Sequence, residues 1–182
     1  MDNSSVIIRK ANKGDISDIM EIERLSFHSE IIESRNVFED RMDVFQDGFL
    51  VAVIGGEIVG YISSELWNYS SNLPISNFDL NHSIQKTHQK NGNELYISSI
   101  AVNPNIRGEK IGKKLFLTLL KTVQKEYQIK SAVLLVNRDW KNAFSMYQKE
   151  GFEIIAEIEN FFPKTDPSNL KSGTGIIMRK NI

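Results

Sequence analysis

The sequence predicts an α/β (α+β) fold for residues 1–182 as a single domain, with a sheet of about seven strands flanked by about four helices. Three observations carry this. Short β-rich runs and helix-period stretches follow one another along the whole chain, a Gly-Gly pair joins two adjacent β-rich runs, and one apolar run leads through a tight turn straight into an amphipathic stretch.

The elements follow in order. Val6 to Arg9 reads as a short strand, and Asp15 is placed to cap a helix from Ile16 to Phe27, with Ile16, Ile19, Met20, Glu23 and Phe27 at helical spacing. Glu23 interrupts that apolar stripe. It reads as a solvated or boundary carboxylate in preference to a substrate contact, because charged side chains are mostly exposed. A second helix covers Glu33 to Phe45. Phe49 to Ile54 and Glu57 to Leu66 flank Gly55-Gly56, which supplies the positive backbone angles of a hairpin turn, and both runs are expected inside the sheet.

Residues 67–93 are polar and weakly periodic, a long loop with one helical turn. Leu95 to Val102 is a strand, and Ile111 to Tyr127 a helix whose Ile111, Leu115, Leu119 and Val123 share one face while its lysines form a solvated one. Ser131 to Val136 is a continuous apolar run, as for a strand covered on both faces. Asp139 to Lys149 reads as a helix stopped by Gly151, and Phe152 to Ile158 and Gly175 to Arg179 close the chain as strands.

Composition narrows the function. With 22 basic and 23 acidic side chains the net charge is -1, which offers no field for a polyanion, so nucleic acid is not an expected partner. There is no cysteine, which removes disulfides, thiolate metal sites and Cys nucleophiles. No run has the length and apolarity of a signal sequence or a membrane span, so no membrane partner and a cytoplasmic location are expected.

The segment from Leu95 to Leu120 says most. A strand ends, a turn carries Arg107, Gly108 and Gly112, and a helix begins, so unpartnered amides at the positive end of a helix dipole can hold a pyrophosphate. A P-loop is excluded, because Gly112-Lys113 is followed by Lys114 where a magnesium-binding hydroxyl belongs. The Rossmann fingerprint is excluded for want of its Gly-x-Gly start.

The same segment resembles motif A of the GNAT acyltransferase superfamily, matching at Ala101, Val102, Pro104, Arg107 and Gly112. Lys110 stands where the family carries its middle glycine, and it can still present its amide provided its φ is negative. A second segment, Asn142 to Phe152, resembles the family's Ala-x-x-Leu-Tyr-x-x-x-Gly-Phe signature at Ala143, Tyr147, Gly151 and Phe152, with Met146 in place of Leu. The arylalkylamine and ribosomal-protein N-terminal acetyltransferase branches are also similar. The arylalkylamine branch has histidines at the positions of Tyr96 and Ser98, so its mechanism does not carry over.

The resemblance implies a mixed, mostly antiparallel sheet and an acyl-CoA donor, most often acetyl-CoA, with its pyrophosphate over Gly108, Glu109, Lys110, Ile111, Gly112 and Lys113 beside Arg107. Backbone amides near Ile100, Ala101 and Val102 would bind the pantetheine and face the thioester carbonyl. Tyr147 would protonate the departing thiolate; spacing alone leaves a core tyrosine equally open, and the family match favours the acid. A phenol near 10 against a thiol near 8.5 makes that transfer roughly balanced. Trp140 takes the place of an asparagine that contacts the cofactor in many relatives. Glu94, at the start of the cofactor strand, is either the general base or a carboxylate at the exposed mouth of a strand.

His82 and His88 read as ordinary loop residues, no metal site is expected, and Ser98 and Ser99 lack the partners a nucleophile needs. The expected function is therefore direct transfer of an acetyl group from acetyl-CoA to a primary amine (a small amine, a polyamine or a protein N-terminus) through a ternary complex. The alternative is a non-catalytic acyl-CoA-binding sensor or interaction module. A homodimer is compatible with either. The acceptor would be bound by residues 27–45, 67–93 and 161–173, which supply Phe27, Trp67, Phe161 and Phe162 together with Glu30, Glu33 and Asp79.

Overall fold

The computed structural model describes residues 5–106 and 110–182. Its seven strands form one sheet in the order β1-β2-β3-β4-β5-β7-β6. They are β1 (Ile7–Lys10), β2 (Phe49–Ile54), β3 (Glu57–Trp67), β4 (Glu94–Val102), β5 (Ser131–Asn137), β6 (Glu153–Ile158) and β7 (Gly175–Asn181). The helices are α1 (Ile16–Ser26), α2 (Arg35–Val44), α3 (Ile84–Thr87), α4 (Ile111–Glu126) and α5 (Lys141–Lys149). The mixed, mostly antiparallel sheet is as expected, and β2 and β3 lie inside it. The single turn α3 falls in the 67–93 segment, which reads in the sequence as a loop with one helical turn.

Gly55 and Gly56 take φ of 59° and 90° and turn β2 into β3, the left-handed pair that matches strand twist. α4 packs on one face through Ile111, Leu115, Phe116, Leu119 and Val123, against Leu50, Ile62, Leu95 and Ile97. On the other face Ile16, Ile19 and Ile22 of α1 and Phe38 and Met42 of α2 meet Phe49, Val51 and Tyr61. Each helix buries the stripe that its 3.6-residue period aligns.

The cap at α1 differs from expectation. Asp15 makes no side-chain capping bond to the helix. Its carboxylate instead accepts two bonds from Arg9, at 2.7 and 2.8 Å, and one from the Asn12 amide. A bidentate guanidinium is the stronger, charge-assisted donor.

One irregularity positions the site. β4 pairs with β5 in parallel only from Glu94↔Ser131 to Ile97↔Leu134, although both strands continue. At that point the register of β4 on β3 slips, Ser63 facing Ser99 and Ser64 facing Ile97, so Ser98 is the extra residue of a bulge. A bulge bends its strand and raises its twist, which turns β4 away from β5.

Candidate active site

The parted strands floor a cavity of about 1010 Å³. Ile97 to Val102 line it from β4, Leu134 to Val136 from β5, Glu23 and Phe27 from α1 and its exit, and Tyr147 from α5. Beyond the bulge the β4 backbone regains strict alternation. The Asn103 amide donates to Val59 O at 2.8 Å, so the amide of Ala101 also faces β3, whereas those of Ile100 and Val102 face the gap left by β5. Of the three amides expected to face the donor, two are turned that way and Ala101 is not.

At the start of α4, Lys110, Ile111, Gly112 and Lys113 line the same cavity. Arg107, Gly108 and Glu109 lie outside the described residues. Lys110 has φ 56° and ψ 27°, so the negative angle expected as the condition for presenting its amide is not met. The turn demands left-handed backbone there, which is why a glycine suits the position; a side chain adds strain of about 1–3 kcal/mol.

Tyr147 is buried, with Phe116 and Phe152 at ring distances of 5.8 and 5.9 Å. Its hydroxyl has no hydrogen-bond partner among the described residues, and burial pushes the phenol well above its ordinary value. The near balance expected against a thiol is therefore lost.

Glu94 is not at an exposed mouth. It is fully buried, accepting 2.7 and 3.1 Å bonds from Arg179 and a 2.8 Å bond from Ser131, and it is absent from the cavity lining. It starts β4 at the end still paired with β5, about 13 Å of extended strand before Ser98. Three of the roughly four lone-pair sites of its carboxylate are thus engaged, well away from the cavity.

Glu23, read as a boundary carboxylate, is only 2% exposed and lines the cavity. It accepts a hydrogen bond from the Tyr61 hydroxyl, which in turn lies 2.9 Å from Ser99 Oγ. Burial raises its pKa to about 7, with the Glu33 charge adding to the rise and the Tyr61 bond opposing it. Glu33 also lines the cavity, but Arg41 holds it with bonds of 2.6 and 2.8 Å and the Asn81 amide adds another. The signal in the sequence was the carboxylate inside an apolar stripe. The usual exposure of charged side chains argues against a substrate contact there, and the stripe by itself does not show that the helix lies over a cavity.

Of the expected acceptor residues, Phe27, Phe161, Phe162 and Glu33 line the cavity, and Trp67, Glu30 and Asp79 do not. Trp67 lies beneath Tyr96, stacked at 4.0 Å. Phe78, Leu80 and Tyr96 complete the acceptor end, and burial raises the Tyr96 phenol strongly. The 68–93 segment that delivers Phe78 and Leu80 is tied down by its histidines. His82 Nε2 meets buried Glu65 at 2.6 Å, and His88 Nδ1 accepts the Leu66 amide at 3.2 Å, its pKa lowered by burial. Asp139 ties the link between β6 and β7, accepting from Thr165, Ser172 and the Gly173 amide at 2.8, 2.8 and 3.0 Å.

A mixed sheet that opens over a cleft at its one parallel pair, with a helix start and a buried tyrosine at the cleft, defines a class of acyltransferase. The profile of the Acetyltransferase (GNAT) family matches residues 16–152, and the chain belongs to that family. An N-alpha-acetyltransferase of Sulfurisphaera tokodaii is 25% identical over 156 residues, 85% of this chain and 84% of that protein. Among solved structures, Ard1 from Thermoplasma volcanium is similar with a TM-score of 0.70 at 21% identity, covering 97% of each chain. Arabidopsis thaliana Naa50, in complex with a bisubstrate analogue, has a TM-score of 0.71 at 18% identity, over 98% of this chain and 99% of that one. These two likenesses concern the fold. Among the described residues no helix is long and apolar enough to cross a membrane, and no group of His, Asp or Glu is assembled to hold a metal.

Proposed function

We propose that this acyltransferase moves an acetyl group from acetyl-CoA directly to a primary amine, with Glu23 as general base and Tyr147 as hydrogen-bond donor to the leaving sulfur. The observation that carries this reading is one cavity into which the freed amides of β4, a carboxylate with a pKa near 7 and an unpartnered phenol all open. The Ala-Val-x-Pro strand end and the start of α4 would hold the pantetheine and pyrophosphate, Lys110 adding positive charge while Lys113 is paired with Glu150 at 2.6 Å.

The ammonium form of the acceptor gives a proton to Glu23, directly or through a water, and the neutral nitrogen attacks the thioester carbonyl. The oxyanion develops toward the Ile100 and Val102 amides, an effect worth about 2.7–4 kcal/mol per donor where it has been tested. The C–S bond then breaks, the sulfur leaves as thiolate, and the nitrogen gives up its second proton to water as the amide forms. Because burial holds the Tyr147 phenol above a thiol's range, the tyrosine stabilises that thiolate chiefly by hydrogen bonding. The N-alpha-acetyltransferase relative supports an amine acceptor.

Calorimetric titration with acetyl-CoA, beside a Gly112→Trp variant, tests the donor site. Among the described residues outside its own helix turn, a Cβ at Gly112 meets no atom closer than 3.7 Å, and Gly112 lines the cavity, so a bulky side chain there is aimed to block the ligand, with circular dichroism checking the fold. Micromolar binding lost in the variant, followed by turnover on an amine panel, is the expected result. Binding without turnover on any amine would favour the sensor, and no binding by folded wild-type protein would refute the donor site.

A further inference from the structure

A second cavity, of about 220 Å³, lies against the main one. The two share Ser26, Phe27, Ile31 and Trp140 in their linings, and the outer one adds His28, Asn137, Lys164 and Thr165 together with Pro163. The shared wall is aromatic. Trp140 packs on Phe27 at 5.4 Å on one side and on Phe162 at 5.1 Å on the other, and Phe162 meets Phe161 at 4.9 Å. The bridge thus joins three separate segments: the exit of α1, the turn into α5, and the link between β6 and β7.

Both ends of this bridge are held. The Trp140 amide donates to Asn137 O at 3.0 Å, and Trp140 O accepts Phe144 N at 3.0 Å at the start of α5. The Phe162 amide donates to Gly173 O at 2.8 Å, and Gly173 is bound in turn by Asp139. Gly173 has φ 77°, and a Cβ there would lie 2.3 Å from Phe162 O, so the link is closed tightly behind the phenylalanines. Trp140 and Phe162 are thus carried on backbone that is itself bonded into the fold, and their rings pack on one another.

Resting on the transferase reading above, we propose that Trp140 determines acceptor specificity by dividing the acceptor channel into an inner chamber, where the amine reacts, and a closed-off outer one. An acceptor whose body ends within the inner chamber, a compact apolar amine, meets Phe27, Phe78, Leu80 and Tyr96 and needs no passage. A peptide N-terminus carries a chain that must continue past the reacting amine, and on this side the indole stands in its way. Steric exclusion of this sort sets the ratio of acceptors without touching the acyl-transfer chemistry.

The test measures kcat/KM with acetyl-CoA for phenethylamine and for a ten-residue peptide with a free N-terminus, in the wild-type protein and in Trp140→Ala and Trp140→Phe. Wild type should prefer phenethylamine. Trp140→Ala should move the ratio toward the peptide by about tenfold or more, mainly through the peptide KM, and Trp140→Phe should restore the wild-type ratio. If Trp140→Ala loses its circular-dichroism signal or its acetyl-CoA binding, Phe27→Ala opens the same wall from the other side and, because it also trims a contact of the compact amine, is read by a fall in the peptide KM itself. A preference of wild type for the peptide, an unchanged ratio in folded Trp140→Ala, or an unchanged peptide KM in folded Phe27→Ala overturns the proposal. Wild-type protein that binds acetyl-CoA and acetylates no amine refutes the transferase reading itself, and this inference with it.

Discussion

Tyr61, in the middle of β3, donates its hydroxyl hydrogen to the Glu23 carboxylate of α1. The pair joins sheet and helix at the wall of the cavity. Ser99, beside the bulge in β4, sits on the far side of the same phenol, so a chain of three polar groups leads from the cleft floor to the carboxylate. Burial raises the Tyr61 phenol well above its ordinary value, so the hydroxyl remains a donor throughout the working range of pH.

Glu23→Gln should abolish the ascending limb of the pH profile of kcat/KM, which in wild type is expected to have an apparent pKa near 7. Steady-state rates from pH 5 to 9 with an amine of high pKa read this directly. A surviving limb at the same pH assigns it to another group.

The same variant has a stability signature. Glu23 is raised from 4.5 to about 7 on folding, so between those values the folded chain binds more protons than the unfolded one and wild-type stability falls as pH rises. Gln cannot ionise. The variant should therefore gain on wild type as pH goes from 4.5 to 8, by up to about 3 kcal/mol, measured by urea unfolding at a series of pH values.

Tyr147→Phe should lower turnover more than tenfold and leave acetyl-CoA affinity nearly unchanged, because the hydroxyl is needed when charge develops on sulfur. Single-turnover rates set against calorimetric affinity separate the two. Unchanged turnover with chemistry rate-limiting would remove Tyr147 from the mechanism.

Lys110→Gly should stabilise the fold by about 1 kcal/mol, since it relieves a left-handed lysine, with acetyl-CoA binding retained. Thermal and urea unfolding check the first part and titration the second. A loss of stability would mean that the lysine makes up the strain in another way.

Glu94→Gln should cost about 3 kcal/mol by leaving the Arg179 charge unpaired in its buried site, with kcat of the folded enzyme close to wild type. A large fall in kcat at full folding would restore Glu94 to the chemistry.

Element order, the hairpin at Gly55-Gly56, the strand β4 and helix α4, and the helix that carries Tyr147 were legible in the sequence, because each depends on periodicity or turn chemistry within about a dozen residues. The roles of the carboxylates were not. Glu23 and Glu94 look alike as single acidic residues in apolar company, yet the fold sets one beside a phenol at a cavity wall and the other against Arg179, 85 residues away in the chain. Burial and pairing, which decide whether a carboxylate is a base or an anchor, arise only when distant segments meet. The φ of Lys110 and the parting of β4 from β5 belong with these, since the first follows from the path of a turn and the second from a one-residue slip against β3. Local sequence therefore determined which elements form and in what order, and tertiary structure alone decided which charged side chains are buried, paired or set at the cavity wall.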